Sequence, residues 1–161
     1  MHMKVISVAG DRVAILLDGA ATNQRYTVME AALPPKSGPP PHVHTREDES
    51  FMVLVGEVTF YLGDKTIVLH KAESLFAPRN IPHHFKNTGT GEAVLLEIAS
   101  PAGIEVFFEA AGRPLASRMD QPQPPTPEDI QRMRAIAPDY GITILPPGNS
   151  GVRSDYDTAA G

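Results

Sequence analysis

The sequence contains no cysteine. This absence excludes thiolate catalysis, cysteine-ligated zinc and disulfide bonds, so histidine and carboxylate side chains must supply any metal ligands. A run of basic residues is also missing, because the 14 Lys and Arg residues are scattered and the formal net charge is -5. A protein of this charge offers no footprint for a phosphate backbone, and we expect it not to bind nucleic acid.

Long apolar runs are absent as well. No window approaches the roughly 20 apolar residues of a membrane span, and the first ten residues, MHMKVISVAG, lack the apolar stretch of a secretory signal. We therefore expect a cytoplasmic protein without a membrane partner.

The residues that are abundant indicate a β-rich domain. The chain has 161 residues, enough for one domain with its own core. Its 16 prolines and 13 glycines favour many turns over long helices. Short apolar segments bounded by turn residues predict an antiparallel sandwich or barrel. The predicted strands are residues 13–17, 26–29, 51–55, 58–62, 66–69, 74–77, 83–87 and 93–99.

The chain changes character after residue 100. Residues 104–111 are typical of a short helix that closes the barrel, and Phe107 and Phe108 in it could form a lid or pack a dimer. Thr126 has the properties of an N-cap for a second helix that ends at Gly141. We thus expect a barrel over residues 1–115, a linker and a helix packed on the barrel over 116–145, and a flexible tail over 146–161.

The histidines and acidic residues near the middle of the chain predict a metal site. The proline-rich loop 33–41 is rigid and delivers His42. Because side chains alternate in an extended strand, His42 and His44 project to one face and reach the same ion. Glu49 begins the next strand, and His83 follows a later proline-rich turn, so these two complete a set of three histidines and one carboxylate. Glu47 and Asp48 are interpreted as solvated loop charges, although a shift of register would let Glu47 replace Glu49.

These residues and their spacing resemble the two motifs of the cupin superfamily, over roughly residues 33 to 100. The resemblance implies an all-β, single-domain jelly-roll barrel, or double-stranded β-helix, with a short C-terminal helical extension. The matching positions are Gly38, His42, His44, Glu49 and Gly56 in the first motif, and Pro78, His83 and Asn87 in the second.

The sequence departs from the family pattern in its loops. Ala72 and Asn80 stand where the second motif usually has glycines, and Gly38 lies closer to His42 than is usual. Asparagine tolerates a left-handed backbone better than other non-glycine residues, so the turn at Asn80 is expected to survive. The ligand positions are unaffected.

Within the superfamily, the segment PPPHVHTREDESF resembles small bacterial cupins related to quercetin 2,3-dioxygenase. This resemblance implies one divalent transition-metal ion (Fe, Mn, Ni, Co, Cu or Zn) and a dioxygenase-like enzyme that acts with dioxygen on a phenolic or enolisable small molecule. Glu49 would also take the substrate proton as the catalytic base. Two alternatives stay open: a metal-dependent isomerase, lyase or polyketide cyclase that uses the ion as a Lewis acid, and a non-catalytic protein that binds a small molecule or a metal.

Three further expectations concern the surroundings of the site. Phe51, Phe76 and Phe85 could clasp an aromatic substrate, or could simply fill the core. His84 is expected on the opposite strand face from His83, partly exposed or at an interface, and not as a ligand. Because the strand at 13–17 would leave an open edge, we expect a homodimer that covers it.

Overall fold

The computed structural model of the protein describes residues 3–146. The tail predicted from residue 146 onward therefore lies outside the described residues, apart from Pro146. No helix in this described part is both long and apolar enough to cross a membrane.

The strands form two antiparallel sheets that enclose the core, and this confirms the predicted all-β jelly-roll architecture. The larger sheet contains β1 (Lys4–Val8), β2 (Asp11–Leu17), β3 (Thr27–Leu33), β5 (Asp48–Val55), β8 (Ser74–Ala77), β10 (Ala93–Ser100) and β11 (Arg113–Leu115). Their order across the sheet is β11-β1-β2-β3-β10-β5-β8. The smaller sheet contains β4 (His42–His44), β6 (Glu57–Leu62), β7 (Lys65–His70), β9 (His83–Asn87) and β12 (Ile142–Ile144), in the order β12-β4-β9-β6-β7.

Alternation of apolar and polar side chains sets the register of these strands. In β5, for example, Glu49, Phe51 and Val53 are buried, whereas Met52 between them is 38% exposed. The ring of Phe51 packs against Phe60 of β6 and Phe85 of β9, with centroids 5.1 and 5.4 Å apart. These three rings join the two sheets beside the predicted metal ligands.

The N-terminal edge differs from the prediction. β1 pairs with β2 along its whole length, and β11 pairs with the other side of β1. The segment 13–17 is therefore covered within the chain, and the open edge on which we based the homodimer does not exist. Pro114 lies in β11, where an edge strand tolerates the missing amide donor.

The C-terminal region is more than a linker and a helix. The first helix, α1, spans Ile104–Ala111, and the second, α2, spans Pro127–Ile136 and begins with the predicted cap at Thr126, which forms a capping box with Asp129. The helix was expected to continue to Gly141, but Pro138 cannot donate to the α-helical ladder, and residues Ala137–Tyr140 form a 3-10 turn instead. The chain then returns as β12, which pairs with β4.

The two residues that stand where the second motif usually has glycines both adopt a left-handed backbone. Ala72 has φ 70° and Asn80 has φ 66°. The backbone thus keeps the shape that a glycine would allow, as predicted for Asn80. At Ala72 the same shape is unfavourable for an L-residue.

The proline-rich loop is held against the end of β9. Lys36 N donates to Asn87 O at 3.0 Å, and Asn87 N donates to Ser37 O at 2.9 Å. Gly38 lies in this contact, where a β-carbon would be 2.0 Å from the carbonyl oxygen of Phe85. The loop can approach β9 this closely only because residue 38 has no side chain.

Replacing Gly38 by alanine is expected to lower the free energy of unfolding by about 1–3 kcal/mol, since a backbone oxygen must move to admit the methyl group. Urea denaturation followed by circular dichroism measures the change. Gly91→Ala is the matched control, because its added carbon meets nothing within 4 Å. Equal stability of the two variants would contradict the packing described here.

Candidate metal centre

Three strands bring the predicted ligands to one point. His42 and His44 lie on β4, Glu49 on β5 and His83 on β9. Each offers one ligand atom, and these atoms all lie within 4.8 Å of one another. His44, Glu49 and His83 are at most 3% exposed, and His42 is half-buried. The four side chains come from distant parts of the chain and meet at one point. Their ligand atoms are close enough together to hold one metal ion.

The outer nitrogen of each imidazole faces an oxygen atom of the protein. An Nδ1–H that donates to such an oxygen leaves the lone pair of Nε2 directed into the cluster. The contacts are His42 Nδ1 to Pro40 O (2.7 Å), His44 Nδ1 to Glu47 Oε2 (3.3 Å) and His83 Nδ1 to Ile81 O (3.3 Å).

The inner atoms of the cluster are buried without hydrogen bonds. His44 Nε2 and His83 Nε2 lie 3.3 and 2.8 Å from Glu49 Oε2, yet among residues 3–146 none of these three atoms has a partner with hydrogen-bond geometry. Buried polar atoms normally have partners. Atoms that are close together and directed at a common point, rather than at each other, fit a shared cation. Three imidazoles and one carboxylate are a donor set for borderline divalent ions.

Burial and neighbouring charges shift the pKa values of the cluster residues in different directions. Burial raises the pKa of Glu49, but the nearby imidazoles of His44, His83 and His42 outweigh it and lower the pKa, so Glu49 is ionised. Burial lowers the pKa of His42 well below its usual value, and the neighbouring His83 and His44 lower it further. Burial also opposes the charged form of His44, but the carboxylates of Glu49 and Glu47 raise its pKa overall.

Glu47 is not the solvated loop charge that was expected. Its side chain is buried, with 4% exposure, because it folds back onto His44 from the outer side of the cluster. Asp48, in contrast, is partly exposed and pairs with Arg79 at 2.9 Å. Glu49, not Glu47, faces the inner Nε2 atoms of His44 and His83, whereas Glu47 precedes β5 and contacts Nδ1 of His44.

Replacing Glu47 by glutamine is expected to lower metal affinity by about 10- to 100-fold, because carboxylates that orient a ligating histidine have effects of this size. Chelator competition monitored with Co²⁺ absorbance measures the affinity. Asp48→Asn serves as the control, since its partner Arg79 lies outside the cluster. If both variants bind Co²⁺ as the unmodified protein does, Glu47 does not support His44.

A cavity opens beside the cluster, and its volume, counting the open mouth, is about 670 Å³. Phe85 lines it, whereas Phe51 packs in the core behind. Phe107 and Phe108 of α1 also line the cavity, which supports the lid over the dimer contact. Ile142 and Ile144 of β12 and Met133 of α2 contribute to the same wall. The C-terminal segment therefore helps to build the cavity.

The structure does not place Phe76 in this cavity. Phe76 is 58% exposed, because its neighbours Leu75 and Ala77 on β8 face inward and it must face outward. His84 lies outside the cluster, as expected. It is half-buried and stacks on Tyr61, with ring centroids 4.4 Å apart.

Two acidic residues that line the cavity were missed from sequence, Asp11 on β2 and Glu97 on β10. Burial, the charge of Glu49 and a hydrogen bond to Glu49 raise the pKa of Glu97 well above its usual value. Burial raises the pKa of Asp11 to about 7, although a hydrogen bond from Ser37 opposes this. Their positions in the buried alternation, before Val13 and between Leu95 and Ala99, were the signal that could have identified them.

Comparison with known proteins supports the fold. Residues 29–99 match the family model described as cupin domain, and all four cluster residues lie in this range. The chain is 29% identical over 83 residues to mannose-1-phosphate guanylyltransferase 2 of Escherichia coli O157:H7, which is 52% of this chain and only 17% of that protein. The alignment therefore leaves most of that enzyme without a counterpart in this chain.

Two solved structures illustrate the shared fold. A predicted oxalate decarboxylase from Thermotoga maritima is 23% identical with a TM-score of 0.54, and the match covers 61% of this chain and 90% of that one. An oxalate oxidase is 26% identical with a TM-score of 0.50, with coverage of 59% and 54%. At these levels of identity the first similarity establishes the fold alone, and neither establishes a substrate.

Proposed function

We propose that this protein is an enzyme that holds one divalent transition-metal ion at His42, His44, Glu49 and His83, within the segment 29–99 that matches the cupin-domain model. The observation that carries the proposal is the set of three buried, unpartnered ligand atoms, His44 Nε2, His83 Nε2 and Glu49 Oε2. A non-metal site with the same residues would be expected to pair these atoms with each other. Iron, manganese, nickel, cobalt, copper and zinc all suit such a donor set.

The reaction that we propose is dioxygenase-like and acts on a phenolic or enolisable small molecule. A bound ion would supply Lewis acidity and, if redox-active, electron transfer. Glu49 is an ionised carboxylate at the edge of the cavity, so it can accept the substrate proton at a carboxylate oxygen. The apolar side chains of Phe85, Phe107 and Phe108 would exclude water from this proton transfer.

Oxygen consumption tests the proposed reaction. The protein is loaded separately with each metal ion and mixed with a phenol or a β-diketone in an oxygen electrode cell. Metal-dependent oxygen uptake that is lost in Glu49→Ala supports a dioxygenase. Product formation under nitrogen would instead support the isomerase, lyase or cyclase alternative. Stoichiometric metal binding with no turnover of any substrate would favour a non-catalytic binding protein.

We also propose that the protein forms a homodimer, although the open edge first assumed is absent. Phe76, Met52 and Ile98 are 58%, 38% and 37% exposed on the outer face of the larger sheet. Ser50 is the neighbour of both Phe76 and Ile98 in the register, so these apolar side chains form a continuous surface across β8, β5 and β10. Size-exclusion chromatography with light scattering is expected to show a dimer at micromolar concentration. A monomer under these conditions would refute the proposal.

A further inference from the structure

The cavity beside the cluster is poor in charge that could bind an anion. Its polar lining consists of two of the clustered histidines and three acidic residues, Asp11, Glu49 and Glu97. Among the described residues that line it, none is lysine or arginine. The remaining wall is apolar and comes from both sheets and both helices. In the metal-free protein a small dianion would therefore meet carboxyl groups without a compensating side-chain cation, which is unfavourable in a buried site.

Asp11 stands apart from the cluster in the fold. β2, which carries Asp11, is separated from β5, which carries Glu49, by β3 and β10. Three steps between neighbouring strands correspond to about 14 Å between the two backbones. The cluster thus lies on one side of the cavity and Asp11 on the other, with Glu97 of β10 between them.

The carboxyl group of Asp11 is buried, lines the cavity and is held in position by one hydrogen bond. It is 6% exposed, and Ser37 Oγ donates a hydrogen bond to its Oδ1 atom. Within residues 3–146, the hydrogen bond from Ser37 is the one that its side chain accepts, and Oδ1 is the atom that accepts it. Ser37 belongs to the proline-rich loop, which β9 anchors through Asn87. A rigid acceptor that lines an apolar cavity is the usual means of orienting a ligand.

We propose that Asp11 is a specificity-determining residue that accepts a hydrogen bond from a hydroxyl group of a largely apolar, uncharged ligand. This inference deepens the proposed function and rests on it for the role of the cluster, which would bind an oxygen atom at the other end of the ligand. Ser37 keeps Oδ1 occupied, so Oδ2 is the atom left for the ligand. Acceptance at Oδ2 requires no particular charge on Asp11, because an ionised or a protonated carboxyl group has an acceptor lone pair.

A matched series of naphthalenes tests the inference: naphthalene-2,7-diol, 2-naphthol and naphthalene-2,7-dicarboxylate. Their fluorescence is followed on addition of the 161-residue protein, which contains no tryptophan. The diol is expected to bind about three- to tenfold more tightly than 2-naphthol, the value of one additional hydrogen bond. The dicarboxylate is expected to bind metal-free protein at least about tenfold more weakly than the diol, because its charges stay uncompensated.

Variants assign the preference to Asp11. Asp11→Ala is expected to reduce the ratio of the two affinities to about one, while the affinity for 2-naphthol changes little. Asp11→Asn keeps an acceptor oxygen and is expected to retain a preference for the diol, which also guards against misfolding of the alanine variant. Asp64→Ala, at an exposed turn, is the control and should bind like the unmodified protein.

Three results would overturn the inference. These are equal affinities for the diol and 2-naphthol, an unchanged preference in folded Asp11→Ala, and the lack of saturable diol binding at millimolar concentration. All titrations are made with metal-free and metal-loaded protein, and metal content is measured in parallel. Selective binding of the diol by protein that takes up no metal would refute the proposed enzyme but support the role of Asp11. Full metal loading without selectivity for the diol would support the proposed metal site but refute the role of Asp11.

Discussion

Replacing His83 by alanine is expected to lower the affinity for a divalent metal ion by more than about 100-fold, beyond the effect typical of residues that only orient a ligand. His83 Nε2 is the ring atom nearest to Glu49 Oε2, at 2.8 Å, and its side chain is 3% exposed. Its loss would leave the imidazoles of His42 and His44 and the carboxylate of Glu49 as ligands. Of these three side chains, that of His42 is only half-buried. Equilibrium dialysis followed by mass-spectrometric metal analysis measures the affinity directly.

His84→Ala is the matched control for this experiment. His84 is the next residue in the same strand, but it faces Tyr61 on the other side of β9 and offers no atom to the cluster. Its variant is expected to bind metal like the unmodified protein. Imidazole added to His83→Ala should restore part of the binding, because it can occupy the space that the side chain leaves. Full metal occupancy in His83→Ala would refute its assignment as a ligand.

Replacing Phe51 by alanine is expected to lower the free energy of unfolding by about 3–5 kcal/mol, the usual cost of removing a buried aromatic ring. Phe51 is 2% exposed and packs between Phe60 and Phe85, which belong to the other sheet. Its ring centroid also lies 6.3 Å from that of His83. The cavity left by the substitution would therefore weaken the contact between the sheets next to the cluster. Urea denaturation of metal-free protein isolates this effect from metal binding.

Phe76→Ala is the control, because Phe76 is the same residue type on the outer face of β8 with 58% exposure. Its effect on the stability of the monomer is expected to stay within about 0.5 kcal/mol, so both variants are unfolded at a protein concentration too low for the proposed dimer to form. The comparison separates two roles that sequence alone left open for these phenylalanines. If Phe76→Ala were as destabilising as Phe51→Ala, the outward orientation of β8 would be wrong.

Most of the site could be predicted because its signals are local. His42 and His44 are two residues apart on one strand, so their common direction follows from the period of a strand. Glu49 lies on the same strand face as Phe51 and Val53. Because these two residues are apolar, this face is identified as the one that points inward. His83 required the spacing of the second motif, because no local pattern relates it to the other ligands.

The surroundings of the site were less predictable because their contacts are distant in sequence. β11 and β12 are three-residue strands, too short for an alternation to be recognised, and each forms only by pairing with a strand about 100 residues earlier. Glu47 resembled a loop charge until its contact with His44 was known. In the sequence, Phe76 and Phe85 are both phenylalanines in short predicted strands. Only the register of β8 shows that the ring of Phe76 points outward, unlike that of Phe85.

The sequence by itself determined most of the longer strands and the residues of the candidate metal cluster, since both depend on alternation and spacing within short segments. The tertiary structure decided what surrounds that cluster. It placed Glu47 against His44, on the side away from Glu49. It also brought β12 and α1 to the cavity and directed the side chains of Asp11 and Glu97 toward it. These features depend on which distant segments pack together, and packing is set by the whole core rather than by any local pattern.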